Sequence, residues 1–551
     1  MPVTPASVSA VVAETLARSA SDVFGVMGNG NAYFLDALLA CGMRFTAMRH
    51  EAGGVAAADA YYRASGQLAV ATATYGAGLT NCATALAEAV MAGIPLVLVV
   101  GAAPTHGPRP WDIDQTAFAT SVGARTFVVG IDDAAAVTSQ AVTHALHART
   151  AVVLAIPYDL AHAPARGGEV SFASEPAAPV EPDGSALDSA AALLAGAERP
   201  LLLAGRGAWL AGAGEAMGAL AAEVGALTTT TALAQGLFPD SRYDLGVAGG
   251  FGQEKAMALA GTADVVLAVG AALNQFTTRF GGLFAPGARV VQVDIRDAAS
   301  HPAVTDFVRG DALLAAKGIT DRVRGLPRRE RVWRDSVPEL FTGAIRQRDP
   351  GTVTAEDGRL DPRTLAASLG QLLPQDRVVV SDGGHFIGWA NTYWPVAAPD
   401  RMIMVGTAFQ TIGLGLPSAV GAARARPDST IVLTTGDGGA LMALADLESV
   451  VRAVRRGVIV LWNDAAYGAE VHMYGRWGLD PAPMLIPETD FAALARAVGA
   501  RSAVVRGIDD LGALREWLDA GEEGVFLVDA RVSRAVVAPY QEEIVAAASR
   551  R

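Results

Sequence analysis

The stretch TIVLTTGDGGALMALADLESVVRAVRRGVIVLWNDAAY, residues 430–467, decides how this chain is read. It opens on an apolar run (Ile431, Val432, Leu433) that ends in Gly436-Asp437-Gly438-Gly439. A helical stretch follows, then a second apolar run, 458–462, that closes on Asn463-Asp464. Strand, helix and strand in that order predict a parallel α/β unit. Glycines let backbone N–H groups come close to phosphate oxygens. Asp437, at the end of one strand, offers a hard oxygen ligand, and Asn463, at the end of the next, a second. The carbonyl of Ala465 just beyond is the expected third. Magnesium favours few protein oxygens together with phosphate oxygens. Strand carboxyl ends are also where open α/β sheets bind their ligands. A Gly-Asp-Gly alone also suits an ordinary turn; its pairing with Asn463 after a second strand points to a metal–diphosphate site.

The same alternation of β-rich runs and Ala-rich helical stretches fills the rest of the 551 residues. Three units are expected: residues 1–165, 186–325 and 363–535. The first carries strands near 23–26, 44–48, 68–74, 95–100 and 151–156. The second carries strands near 200–204, 226–230, 264–269 and 289–295. The third carries 377–381, 402–405, 430–435, 458–462 and 525–529. Connectors rich in Pro, Gly and charge are expected at 162–184 and 325–362. The tail, 537–551, is expected to form a surface helix. The outer units match in size and strand count, which predicts two similar doubly wound parallel sheets flanking a middle, Rossmann-like one.

Composition narrows the chemistry. The net charge of −13 disfavours nucleic acid as a partner. Only two lysines occur, Lys255 and Lys317, and neither sits in a glycine loop or at a strand end. Schiff-base enzymes and P-loop ATPases are therefore poor candidates. Cys41 and Cys82 cannot build a disulfide framework or a four-cysteine zinc site and read as core thiols. The first residues lack the basic start and apolar run of a signal peptide, and no charge-free stretch reads as a membrane span. A cytoplasmic protein is expected.

The 430–467 pattern resembles the thiamine-diphosphate signature of the acetolactate synthase, pyruvate oxidase, benzaldehyde lyase and 2-oxo acid decarboxylase superfamily. Three further matches occur in order. Arg49-His50-Glu51 resembles that family's Arg-His-Glu. Gly76-Ala77-Gly78-Leu79-Thr80-Asn81 resembles its Gly-Pro-Gly-Ala-Thr-Asn loop. Ile412-Gly413-Leu414-Gly415-Leu416-Pro417 resembles its Gly-Leu-Pro segment. The resemblance covers the whole chain and implies a fold of pyrimidine-binding, middle and diphosphate-binding domains. It implies thiamine diphosphate and Mg²⁺ as cofactors. Glu51 would be the catalytic carboxylate on the aminopyrimidine, with Gly76 and Asn81 nearby. Ile412 would be the wedge under a bent cofactor, and Gln410 would help hold the ring. Gly384, His385, Gly436, Asp437, Gly438, Gly439, Asn463, Tyr467 and Gly468 would hold the diphosphate and its metal. In that family the two halves of a site come from different subunits, which implies a homodimer or homotetramer.

The reaction is less sharply written. The Ala-Phe-Gln-Glu of acetolactate synthases is replaced here by Ala117-Phe118-Ala119-Thr120. Gln115 instead resembles the benzaldehyde lyase pattern and would face the substrate carbonyl. Glu470 lies close to the position of a decarboxylase glutamate, offset by one residue, and is a candidate acid. His472 is expected to point elsewhere. Asn29 and Tyr75, at strand ends of the first unit, are the other substrate-pocket candidates. Gly205-Arg206-Gly207 is too short a motif for FAD, which is not expected. The resulting expectation is an acetolactate-synthase-like carboligase. It would decarboxylate a 2-oxo acid and transfer the acyl carbanion to a second carbonyl. A simple decarboxylase and an acyloin or benzaldehyde-type lyase stay open within the class. A non-catalytic regulatory protein that kept the fold stays open outside it. A nicotinamide dehydrogenase would need a third glycine after Gly28-Asn29-Gly30, and the chain lacks it.

Overall fold

The computed structural model describes residues 6–166, 177–327 and 333–549. Residues 167–176 and 328–332, within the two expected connectors, and the extreme ends of the chain lie outside the described residues. Three six-stranded sheets form, and every strand pair is parallel. The first holds β1 (Asp22–Gly25), β2 (Arg44–Ala47), β3 (Ala69–Ala73), β4 (Leu96–Ala102), β5 (Arg125–Val128) and β6 (Ala151–Pro157). The second holds β7 (Pro200–Ala204), β8 (Leu227–Thr230), β9 (Asp244–Val247), β10 (Val265–Val269), β11 (Arg289–Asp294) and β12 (Asp306–Arg309). The third holds β13 (Arg377–Ser381), β14 (Met402–Met404), β15 (Thr430–Gly436), β16 (Arg456–Asn463), β17 (Arg501–Val505) and β18 (Gly524–Arg531).

The outer sheets share one strand order, β2-β1-β3-β4-β6-β5 and β14-β13-β15-β16-β18-β17. The middle sheet runs β12-β11-β10-β7-β8-β9, the dinucleotide-fold order with its reversal between β7 and β10. The expected α/β class and the likeness of the outer units are therefore observed. Inner strands such as β4 and β6 are buried along nearly their whole length, because helices cover both sheet faces. Four strands escaped the sequence reading: β5, β9, β12 and β17. All four are sheet edges, and their mixed exposure dilutes the apolar run that marks an inner strand.

The first and third sheets share one continuous core. Its seam is the crossing of the Glu51–Ser65 and Gly415–Ala425 helices. A Cβ on Gly421 would lie 1.8 Å from the carbonyl oxygen of Ala57, so the helices meet backbone to backbone there. Gly421→Ala must push them apart. We expect a cost of about 1–3 kcal/mol, seen as a lower melting temperature; an unchanged melting temperature would contradict this packing. Beside the seam, the carboxylate of Asp446 accepts from Arg49 N at 2.9 Å, and Arg49 pairs with Glu448 at 2.7 Å. These contacts fix the start of the helix that carries Glu51.

Two expectations need correcting here. Cys82 is buried but Cys41 is only half-buried, at the end of the Ala32–Ala40 helix. The tail helix, Pro539–Ala548, is not a simple surface helix, because Tyr540, Gln541 and Val545 are buried. No helix among the described residues is long and apolar enough to cross a membrane.

Candidate active site

The carboxyl ends of the third sheet and of the middle sheet face each other across a cavity of about 900 Å³. Loops after β13, β14, β15 and β16 form one wall. Loops after β7, β8, β9 and β10 form the other.

Asp437, 3% exposed, opens the turn after β15. Its Oδ1 accepts from Gly438 N at 2.9 Å, while Oδ2 is buried without a partner. Asp464, after β16, lines the same cavity and accepts from Ala466 N at 3.2 Å. Burial raises both carboxyls above the usual range, and the charge of Asp437 raises Asp464 further. Two desolvated carboxylates with an unpaired oxygen call for a cation. Among the described residues no group of three or more His, Cys, Asp or Glu could hold a metal. An ion here would draw on backbone and ligand oxygens as well, as magnesium does.

Two expected ligands, Asn463 and Ala465, stand beside the cavity rather than in its lining. The Asn463 Nδ2 donates to Thr489 O at 3.1 Å and to Asp529 Oδ1 at 3.0 Å, toward the neighbouring strand β18, while its Oδ1 is buried without a partner. Ala465 sits at φ +58° with its carbonyl accepting from Ile486 N at 2.9 Å. Asp464 and Ala466, each one residue further on, face the cavity instead. Successive residues leaving a strand point to opposite sides, so a one-residue slip exchanges the whole set.

The remaining third-unit candidates come together. Gly384, His385, Gln410, Ile412, Gly436, Gly438, Gly439, Tyr467, Gly468 and Glu470 all line the cavity. Added Cβ atoms would strike Tyr467 at Gly438 (2.6 Å) and Phe386 at Gly436 (3.0 Å), so this cradle admits only glycine without movement. The sequence reading passed over Asp382, which ties the cradle together. Its buried carboxylate accepts from Gly383 N (2.8 Å), Gly413 N (2.9 Å) and Thr435 Oγ1 (3.1 Å), joining the loops after β13 and β14 to strand β15. It also missed the partner of His385. The His472 ring, itself outside the cavity lining, lies 4.5 Å away, centroid to centroid. Burial and the neighbouring His472 lower His385 to about 3, so it is neutral. Its Nε2 accepts from Ala538 N at 2.9 Å, which puts the ring proton on Nδ1. Tyr540, from the tail, donates to the carbonyls of Gly384 and His385.

The first-unit candidates form a separate cluster, and none of them lines this cavity. Glu51 Oε2 accepts from Asn81 Nδ2 at 2.9 Å. Asn29 Nδ2 donates to Tyr75 OH at 3.2 Å. Gln115 is 9% exposed, and both ends of its amide are engaged: Oε1 accepts from Gly76 N (2.5 Å), and Nε2 donates to Gly101 O (2.9 Å). It braces the Gly76 turn, at φ +58°. Within one chain the two halves do not meet. Around the first cluster, Met27, Trp111 and Ile113 are exposed; around the cavity, Phe409 and Met442 are exposed.

Comparison with known proteins places these features. Residues 6–120 match the family description "Thiamine pyrophosphate enzyme, N-terminal TPP binding domain". Residues 187–315 match its central domain, and 382–530 its C-terminal TPP binding domain. The chain is 30% identical to the sulfoacetaldehyde acetyltransferase of Castellaniella defragrans, over 93% of this chain and 90% of that protein. It is 29% identical to the acetolactate synthase large subunit IlvG of Mycobacterium tuberculosis, over 90% of each. It is also 29% identical to the acetolactate synthase isozyme 2 large subunit of Escherichia coli, over 83% of each.

Proposed function

Because the chain belongs to the thiamine pyrophosphate enzyme family, we propose that it decarboxylates a 2-oxo acid and transfers the acyl group to a second acceptor. The observation that carries this reading is the pair Asp437 and Asp464, desolvated, with Asp437 Oδ2 unpartnered at the mouth of a glycine cradle. Hard oxygens beside backbone N–H groups suit a magnesium diphosphate. The two carboxylates and the Ala466 carbonyl would hold Mg²⁺. The N–H groups of Gly436–Gly439, with Gly384 and the Nδ1 proton of His385, would hold the diphosphate. Gln410 and Ile412 would seat the aminopyrimidine. When bound, thiamine diphosphate supplies a carbon nucleophile and electron sink.

In this proposal Glu51 and Asn81 reach the aminopyrimidine from a second copy of the chain, since in their own chain they lie apart from the cavity. A dimer or larger assembly in the cytosol is part of the proposal. Tyr75 and Asn29 would come with them and face the substrate. Gln115 would act at one remove, holding the Gly76 turn. The names of the relatives, an acetyltransferase and two acetolactate synthases, support group transfer over simple protonation of the acyl carbanion to an aldehyde.

Glu470, at the exposed edge of the cavity, supports a second reading as a simple decarboxylase. A carboxyl there can deliver the proton that releases an aldehyde. Glu470→Gln is expected to slow aldehyde release roughly 100-fold while carboligation falls far less. Equal losses would return Glu470 to an ordinary surface charge. The test of the whole reading is a panel of 2-oxo acids incubated with the protein, thiamine diphosphate and Mg²⁺. Carbon dioxide, aldehydes and acyloins are read by mass. Cofactor-dependent CO₂ with a carboligation product supports the reading; no CO₂ from any member overturns it.

A further inference from the structure

Behind the cavity lies a buried charge cluster at which all three units of one chain meet. Asp59 and Arg63, on the Glu51–Ser65 helix, form an ion pair with side-chain exposures of 1% and 4%. Arg63 Nη2 also donates to Glu88 Oε1 at 3.2 Å. Glu88 sits on the Ala83–Met91 helix and is wholly buried. Arg206, from the middle unit, abuts the same group and donates through Nη1 to Ala92 O at 3.2 Å. One oxygen of Glu88 is thus taken up inside its own unit.

The other oxygen crosses to the third unit. Glu88 Oε2 accepts from the backbone N–H of Phe409 at 2.7 Å. A charge-assisted bond of that length, shielded from water, is among the stronger polar contacts a protein makes. The next residue, Gln410, is a non-glycine at φ +60°, a conformation that needs support from its surroundings. Among the described residues, the other hydrogen bonds made by 407–411 stay within or next to that loop: Thr411 N to Gly406 O at 2.9 Å, Gln410 Nε2 to Thr407 O at 2.6 Å, Thr411 Oγ1 to Ile412 O at 3.2 Å and Thr407 Oγ1 to Met404 O at 3.5 Å. Glu88 is therefore the loop's tie to a rigid element outside it.

We propose that Glu88 is a positioning residue of the cofactor site, fixing the Phe409 backbone and through it the Gln410–Ile412 segment. This rests on the reading of that segment as the seat of the aminopyrimidine. On this account each first unit serves two sites: Glu88 braces the cavity of its own chain, while Glu51 acts in that of the partner.

Binding of two probes separates this from a general structural contribution. Thiamine diphosphate contains the aminopyrimidine; inorganic pyrophosphate does not. Both are measured with Mg²⁺ by equilibrium dialysis, pyrophosphate by competition. For Glu88→Gln we expect thiamine diphosphate affinity to fall at least about tenfold, with pyrophosphate affinity unchanged. Glu88→Asp keeps a charge for Arg63 but shortens the reach to Phe409, and is expected to show the same split. It serves as the test if Glu88→Gln does not fold. Equal weakening of both probes, or no weakening of either, overturns the proposal. A wild-type protein that binds pyrophosphate but not thiamine diphosphate overturns the functional reading beneath it instead.

Discussion

Asp437→Ala is expected to yield a folded protein whose binding of thiamine diphosphate no longer responds to magnesium. The variant removes one of the two desolvated aspartates that line the cavity, the one whose Oδ2 is buried without a partner. Magnesium holds its few protein oxygens in near-ideal octahedral geometry, and loss of one is poorly replaced. We expect affinity to fall by roughly 100-fold or more, about 2.7 kcal/mol. The apo-protein should respond in the opposite direction. Removing one of two desolvated like charges relieves repulsion, so its melting temperature should hold or rise. The wild type should melt higher with magnesium and cofactor present, and the variant should not. Asn463→Ala gives the matching control. Its amide serves Asp529 and Thr489, so it should lower stability yet keep the magnesium response. Loss of the magnesium response in Asn463→Ala would restore the ligand set first expected from sequence, and a response that survives Asp437→Ala would remove Asp437 from either set.

Glu51→Gln is expected to leave cofactor affinity near that of the wild type while the exchange of the cofactor C2 proton with solvent collapses. Glutamine keeps the shape and can still meet the Asn81 amide, but it cannot carry the charge that draws a proton to the ring nitrogen. Proton-transfer groups contribute roughly 100- to 10,000-fold, and the exchange rate, followed by NMR after acid quench, should fall within that range. Unchanged exchange would remove Glu51 from the chemistry. Lost binding with normal exchange in the bound fraction would make it an anchor only.

The parallel α/β architecture was legible because inner strands of a covered sheet are continuous apolar runs, as in Leu96–Ala102 and Ala151–Pro157. Edge strands carry no such run. Arg125–Val128 has a single fully buried residue, Phe127, and begins on a charge, so its pattern merges with that of a loop. The glycine cradle was legible for the same reason that it works: Gly436–Gly439 follows a strand and cannot be exchanged without a clash. What stayed hidden was direction. Asn463 and Asp464 are neighbours, and only the register of β16 against β18 decides which one turns to the cavity. Gln115 was found, but not that Gly76 and Gly101 would engage its amide. Asp382, Glu88 and Tyr540 act across sequence separations of 31 to 321 residues, and no local pattern announces such contacts.

Subunit complementation asks most directly whether two chains share one site. Glu51→Gln and Asp437→Ala chains, each inactive alone, are mixed in equal amounts under conditions that exchange subunits. If Glu51 of one chain serves the cavity of its partner, each mixed dimer carries one site with both residues intact. Random pairing then restores about one quarter of wild-type activity. If both residues serve the same chain, no mixed dimer holds an intact site, and activity stays at the level of the separate variants.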